Sequence, residues 1–134
     1  MDYHSVFEKH KEQDLLGRYI TLKNIEPLLG KHLFKNKIDV LGKSVLEKSI
    51  YGYQTGIGDF KILLWSQMHG NESTTTKALF DLFNYLDSDV EEVQKWKDKF
   101  TFLFIPMLNP DGAELYTREN ANKIDLNRDF INLS

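Results

Sequence analysis

The sequence predicts an α/β domain: a mixed, largely parallel sheet with flanking helices. Two short apolar runs, Ile62-Leu63-Leu64-Trp65 and Phe100-Thr101-Phe102-Leu103-Phe104-Ile105, have the continuity expected of strands buried on both faces. Between them, Leu79, Leu82, Phe83 and Leu86 recur at helical spacing and form one apolar stripe of a helix from about 73 to 86. A strand, a crossover of this length and a second strand make a right-handed βαβ unit with parallel strands.

The remaining elements follow in chain order. Residues 3–14 form a short polar helix. A second helix is expected over 24–34, with Asn24 as N-cap and Leu28, Leu29 and Leu33 on one face. Two strands near 37–42 and 45–54 are expected to turn at Gly42-Lys43 as a hairpin, which adds an antiparallel element to the sheet. Gly56, Gly58 and Asp59 break the chain before the first apolar run. A charged helix is expected over 89–98, and Pro106 stops the second run.

At 134 residues with 41% hydrophobic content, the chain is long enough for one globular domain. A net charge of -3 gives no basic surface for nucleic acid, and Lys95-Trp96-Lys97-Asp98-Lys99 is expected to be a solvated helix face. With no cysteine, any metal must use His, Asp or Glu. No apolar run approaches the ~18 residues of a membrane span. Met1-Asp2-Tyr3-His4-Ser5 shows no basic region followed by an apolar one, so no signal peptide and a cytoplasmic setting are expected.

Ligands of open α/β sheets sit at the carboxyl ends of the strands. The first strand runs into Met68-His69-Gly70-Asn71-Glu72 and the second into Met107-Leu108-Asn109-Pro110-Asp111-Gly112, so both polar segments are expected at one edge. His69 and Glu72 supply imidazole and carboxylate, both good Zn²⁺ ligands, at a strand-to-helix junction where Gly70 permits a sharp turn. The plainer alternative is a polar loop histidine and a helix-terminal charge, and spacing alone does not separate the two. Asn109-Pro110-Asp111-Gly112 suits a type I turn that steers the following loop. The chain has 14 Lys but only three Arg, and Arg118 and Arg128 both lie beyond that turn. A guanidinium holds a carboxylate or oxyanion in a defined geometry that Lys does not impose. Surface pairing with Asp125 and Asp129 is the competing explanation.

Taken together, His69-Gly70-Asn71-Glu72, Asn109-Pro110-Asp111-Gly112, Arg118 and Asp125-Leu126-Asn127-Arg128 resemble the zinc metallocarboxypeptidase family typified by carboxypeptidase A, across residues 45–130. The resemblance implies that His69 and Glu72 are zinc ligands and that Arg118 polarises the scissile carbonyl and stabilises the oxyanion. It also implies that Asn127 and Arg128 bind the substrate's terminal carboxylate. The family uses one Zn²⁺ per complete site, with a third ligand His and a general-base Glu from the second half of its domain. Neither follows Arg128 here, and His4, His10 and His32 precede the motif and are expected to be ordinary polar helix residues.

The chain is therefore expected to be the N-terminal part of such a catalytic domain, with 1–36 as a helical lead-in. By itself it is expected to be inactive and, with sheet edges exposed, prone to self-association. The expected reaction is hydrolysis of the C-terminal peptide bond of a peptide. The alternatives are a deacylase or amidase acting on N-acyl amino acids, of the aspartoacylase or succinylglutamate desuccinylase type, an amidase that trims cell-wall peptides, and a non-catalytic truncated binding module. No nucleic-acid or membrane partner is expected.

Overall fold

A computed structural model describes residues 2–33 and 35–130. Helices α1 (Tyr3–His10) and α2 (Leu22–His32) lead into strands β1 (Lys37–Lys43), β2 (Ser49–Thr55) and β3 (Phe60–Trp65). Helices α3 (Thr74–Leu86) and α4 (Glu91–Lys99) follow, then β4 (Phe100–Ile105), α5 (Pro110–Leu115) and a 3₁₀ turn over Leu126–Arg128. The strands form one sheet in the order β1-β2-β4-β3. β3 and β4 are parallel, while β1 pairs with β2 and β2 with β4 antiparallel. The expected βαβ connectivity and mixed sheet are present. Among the described residues no helix is long and apolar enough to cross a membrane.

Several boundaries differ from expectation for local reasons. α1 ends at His10, and residues 11–14 leave the helix so that Glu12 N–H donates to Asp81 on α3 at 2.7 Å. α2 begins at Leu22 behind Thr21, and Asn24 is its third residue, with a side chain that accepts from Thr21 N–H at 2.9 Å. This capping-box geometry moves the start by two residues. Leu28 and Leu29 are buried, but Leu33 lies past the helix and is exposed, and Phe34 lies outside the described residues. The hairpin does not turn at Gly42-Lys43. Gly42 stays in the ladder opposite Ile50 after an irregularity at Leu41, and the turn spans 44–48.

The larger correction concerns β3. It is an edge strand with one face uncovered, so Leu63 and Trp65 are 53% and 44% exposed, while Phe60, on the opposite face, is exposed at the strand's start. Its apolar run signals a strand but not burial on both faces. The other face meets the core, where the α3 stripe packs on the sheet. Tyr53 stacks on Phe83 at 4.1 Å, and Phe104 meets Phe83 edge-on at 5.1 Å.

His32 is not an ordinary polar helix residue. It is buried, and its Nδ1 lies 2.5 Å from Asp87 Oδ2. Asn36 and Tyr53 also donate to Asp87, at 2.7 and 3.3 Å. Burial opposes ionisation of Asp87, but His32, Asn36 and Lys97 outweigh it and lower its pKa. Lys97 sits 3.9 Å from Asp87, so the basic stretch on α4 is only partly a solvated face.

Phe83→Ala should cost about 3–5 kcal/mol in urea unfolding, as a buried aromatic truncation does. Leu63→Ala should stay within about 1 kcal/mol because that side chain faces solvent. Equal losses would contradict the one-sided burial of β3.

Candidate active site

The parallel pairing delivers the chain after β3 and the chain after β4 to the same edge, and their backbones interlock there. Ser66 and Gln67 carbonyls accept from Leu108 and Asn109 N–H at 3.0 and 3.1 Å, and Asn71 N–H donates to Thr117 O at 3.1 Å. A Cβ added at Gly70 would overlap the backbone of Gly112, so glycine is what permits this approach. Asn109-Pro110-Asp111-Gly112 is more than a turn. Asn109 caps α5, accepting from Gly112 N–H at 2.9 Å, with Pro110 in the first turn. Its Nδ2 donates to Arg118 O at 3.4 Å, while the buried Asp111 accepts from Ser44 Oγ and Leu46 N–H at 2.8 and 3.1 Å.

On this frame His69 Nδ1 lies 3.2 Å from Glu72 Oε1. The other ring nitrogen, Nε2, lies 3.1 Å from Asp125 Oδ1. The second oxygen of Asp125 accepts from Arg118 Nε at 2.9 Å, and Arg118 Nη1 approaches Glu72 Oε1 at 3.6 Å. Asp125 also accepts from Asn127 N–H at 2.9 Å. His69 and Arg118 are thus joined through Asp125, which the sequence places in the Asp125-Leu126-Asn127-Arg128 motif and as a candidate ion-pair partner for arginine but not against His69.

A cleft of about 300 Å³ is lined by His69, Glu72, Asn127, Thr75 and Trp65, among others. Arg128 is placed differently: it is exposed, and its guanidinium donates to the Asn127 carbonyl at 3.2 Å. A separate groove between α2 and β1–β2 is lined by Leu29, Leu33, Ile38 and Val40 and contains neither imidazole nor guanidinium.

The donor chemistry fits a cation. A carboxylate on Nε2 selects the tautomer with the proton there, which leaves the Nδ1 lone pair facing a carboxylate oxygen. Two acceptors at that distance need a second ring proton or a positive ion between them. His69 Nδ1 and Glu72 could therefore hold a divalent metal, with Asp125 orienting the ring from behind. Among the described residues no group of three or more His, Cys, Asp or Glu surrounds a common metal position. The protein donors visible at this point number two.

Burial resists ionisation of Asp125, but the Arg118 guanidinium, the Asn127 N–H and His69 outweigh it and bring its pKa down to about 2. A folded-state pKa below the unfolded value of about 3.9 stabilises the fold above pH ~4, and that contribution is lost as pH falls toward 2. An NMR titration of the Asp125 carboxyl carbon should show a midpoint near 2. The melting temperature of Asp125→Asn should fall less steeply than wild type between pH 4 and 2; parallel curves would contradict the assigned network.

Comparison with known proteins gives the family and the fold. The model of the zinc carboxypeptidase family matches residues 31–133. Mouse carboxypeptidase M is 31% identical over 111 residues, 67% of this chain and 25% of that protein. Carboxypeptidase 2 of Trichophyton tonsurans is 33% identical over 76 residues, 55% of this chain and 14% of that protein. The chain thus spans about a quarter or less of these relatives' length. In fold, it superposes on a metallo-carboxypeptidase from Burkholderia cenocepacia with a TM-score of 0.71 at 23% identity, covering 79% of this chain and 32% of that one. Residues 31–133 make this chain a member of the zinc carboxypeptidase family.

Proposed function

We propose that the chain supplies the first two metal ligands and the carbonyl-polarising arginine of a zinc-dependent carboxypeptidase. The observation that carries this reading is the opposed pair of His69 Nδ1 and Glu72 Oε1, 3.2 Å apart, with Asp125 bound to the far side of the ring. Bound Zn²⁺ would act as a Lewis acid on the scissile carbonyl and on an attacking water. The protein's part is positional. Asp125 holds the imidazole in the tautomer that leaves Nδ1 free, and Glu72 brings the anionic oxygen beside it. Arg118, tethered by its Nε to Asp125, keeps terminal guanidinium donors available for the charge that develops on the carbonyl oxygen.

Asn127 lines the same cleft and would meet the substrate's terminal carboxylate. Arg128, one residue on and exposed, would swing from its neighbour's carbonyl to complete that clamp. Peptide substrates with a free C-terminus follow from a clamp of this kind. The deacylase reading shares the metal pair but gains nothing from the Asn109-Pro110-Asp111-Gly112 cap that the carboxypeptidase resemblance includes. With two protein ligands the chain itself would hold zinc weakly and turn over no peptide.

Calorimetric titration with Zn²⁺ should give weak one-to-one binding, weakened at least tenfold further by either His69→Ala or Glu72→Gln. A tight site, or binding unaffected by both changes, would contradict the assignment. In a complete enzyme, Arg118→Ala should lower kcat by ~10²–10³, the effect of removing one oxyanion donor. Arg128→Ala should act mainly on KM for peptides with a free carboxylate. Preference for amidated peptides or N-acyl amino acids would favour the deacylase.

A further inference from the structure

Gln67 lies between the end of β3 and His69, and its backbone is unusual. Its φ is +47°, in the left-handed region that L side chains rarely adopt. The residue is only 3% exposed, and its side-chain polar atoms are partnered. Nε2 donates to Ile20 O at 2.8 Å and to Gly70 O at 2.9 Å, and Oε1 accepts from Thr76 Oγ1 at 2.7 Å. Its backbone carbonyl accepts from Asn109 N–H at 3.1 Å. One residue thereby joins four segments: the chain ahead of α2, the loop that carries His69, the first turns of α3, and the cap that carries the chain toward Arg118.

The Nε2–Gly70 bond closes the loop immediately around His69. The Nε2–Ile20 bond ties that loop to a strap. Within the strap, Gly17 O accepts from Lys77 Nζ at 2.9 Å and Arg18 O accepts from Ser73 Oγ at 2.6 Å. The Arg18 guanidinium lies 5.4 Å over the Tyr116 ring, at the end of α5. The strap therefore touches the segments after both parallel strands. A buried amide could be hydrogen-bonded merely because burial demands it. That account leaves the left-handed backbone unexplained, since a glycine there would avoid the strain. Strained residues persist where surrounding contacts over-determine them, and they cluster where a loop must hold one shape.

We propose that Gln67 is a positioning residue: its amide fixes the His69–Glu72 loop and couples that loop to the 17–20 strap. The functional consequence rests on the reading of His69 and Glu72 as a metal pair, but the positioning itself does not. No contact between Gln67 and the His69 or Glu72 side chains is involved; it acts through the backbone that presents them.

Hydrogen exchange by NMR on the whole chain tests this without metal. Gln67→Gly removes the amide and relieves the backbone, whereas Gln67→Ala removes the amide and keeps the strain. In both, the Asn71 and Glu72 N–H groups, bonded at 3.1 Å to Thr117 O and His69 O, should exchange at least tenfold faster relative to β4 amides. The His69 ring ¹⁵N signals, set by Glu72 beside Nδ1 and Asp125 beside Nε2, should move from their wild-type positions in long-range ¹H–¹⁵N spectra. Val93→Ala, a core change on α4, should lower the melting temperature without altering either signal. If the variants keep wild-type protection and a wild-type ring pattern, the proposal is overturned. It is equally overturned if Val93→Ala loosens the same amides for the same thermal loss.

Should Gly or Ala fail to fold, Gln67→Asn keeps an amide too short to reach both Ile20 and Gly70. It should give intermediate loosening, and unchanged protection there also overturns the proposal. A parallel Zn²⁺ titration separates the two readings. A wild-type His69 Nδ1 that ignores zinc removes the metal pair but leaves the exchange result standing. A wild-type response weakened in the Gln67 variants supports both.

Discussion

The close approach of Gly70 to Gly112 is the constraint on which the site depends. Parallel pairing of β3 with β4 brings two chain segments out at one edge, but it does not by itself join them. The join is made by backbone: a glycine with no room for a Cβ, and hydrogen bonds from Asn71 to Thr117 and from Asn109 to Gln67. Once the two segments are locked, the positions of an imidazole on one and a guanidinium on the other are no longer independent. The chain between Arg118 and Asn127 then folds back so that Asp125 meets both.

Asp125 converts this geometry into chemistry. It divides two oxygens between a histidine nitrogen and an arginine nitrogen, at 3.1 and 2.9 Å. Partly exposed ion pairs contribute modestly to stability, so beyond its pH-dependent share the main value of this one lies in orientation. It selects the ring tautomer and fixes the direction from which the guanidinium approaches the cleft. Asp87, a carboxylate that anchors a separate buried polar cluster, is distant in role. With His32, Asn36, Tyr53 and Lys97 it satisfies polar groups in the core at the end of α3.

Much of this was legible in the sequence because two periodicities are strong. The α3 stripe and the β4 run are placed within a residue or two of expectation, and the parallel unit follows from them. The family resemblance rested on four separated motifs, and the fold and family comparisons agree with it. Burial was less legible. Leu63 and Trp65 make β3 look internal, but whether a strand is central or at an edge depends on its neighbours in space. His32 reads as an ordinary polar helix residue because nothing local announces Asp87, 55 positions away in sequence. The hairpin turn was misplaced because Gly42 marks an irregular ladder and not its end. Asp125 was visible as a charge near two arginines, yet its contact with His69 exists only after the loop closes. Gln67 had no signal at all, since a left-handed glutamine cannot be told from any other by its letter.

The central claim is that His69 and Glu72 face one cation while Asp125 backs the ring. Anomalous diffraction from zinc-soaked crystals of this chain tests it most directly. The account predicts a peak about 2.0–2.2 Å from both His69 Nδ1 and Glu72 Oε, with the Nε2–Asp125 bond retained. A peak at His4, His10 or the Nε2 side of His69, with the His69–Glu72 contact left as a plain hydrogen bond, would contradict it.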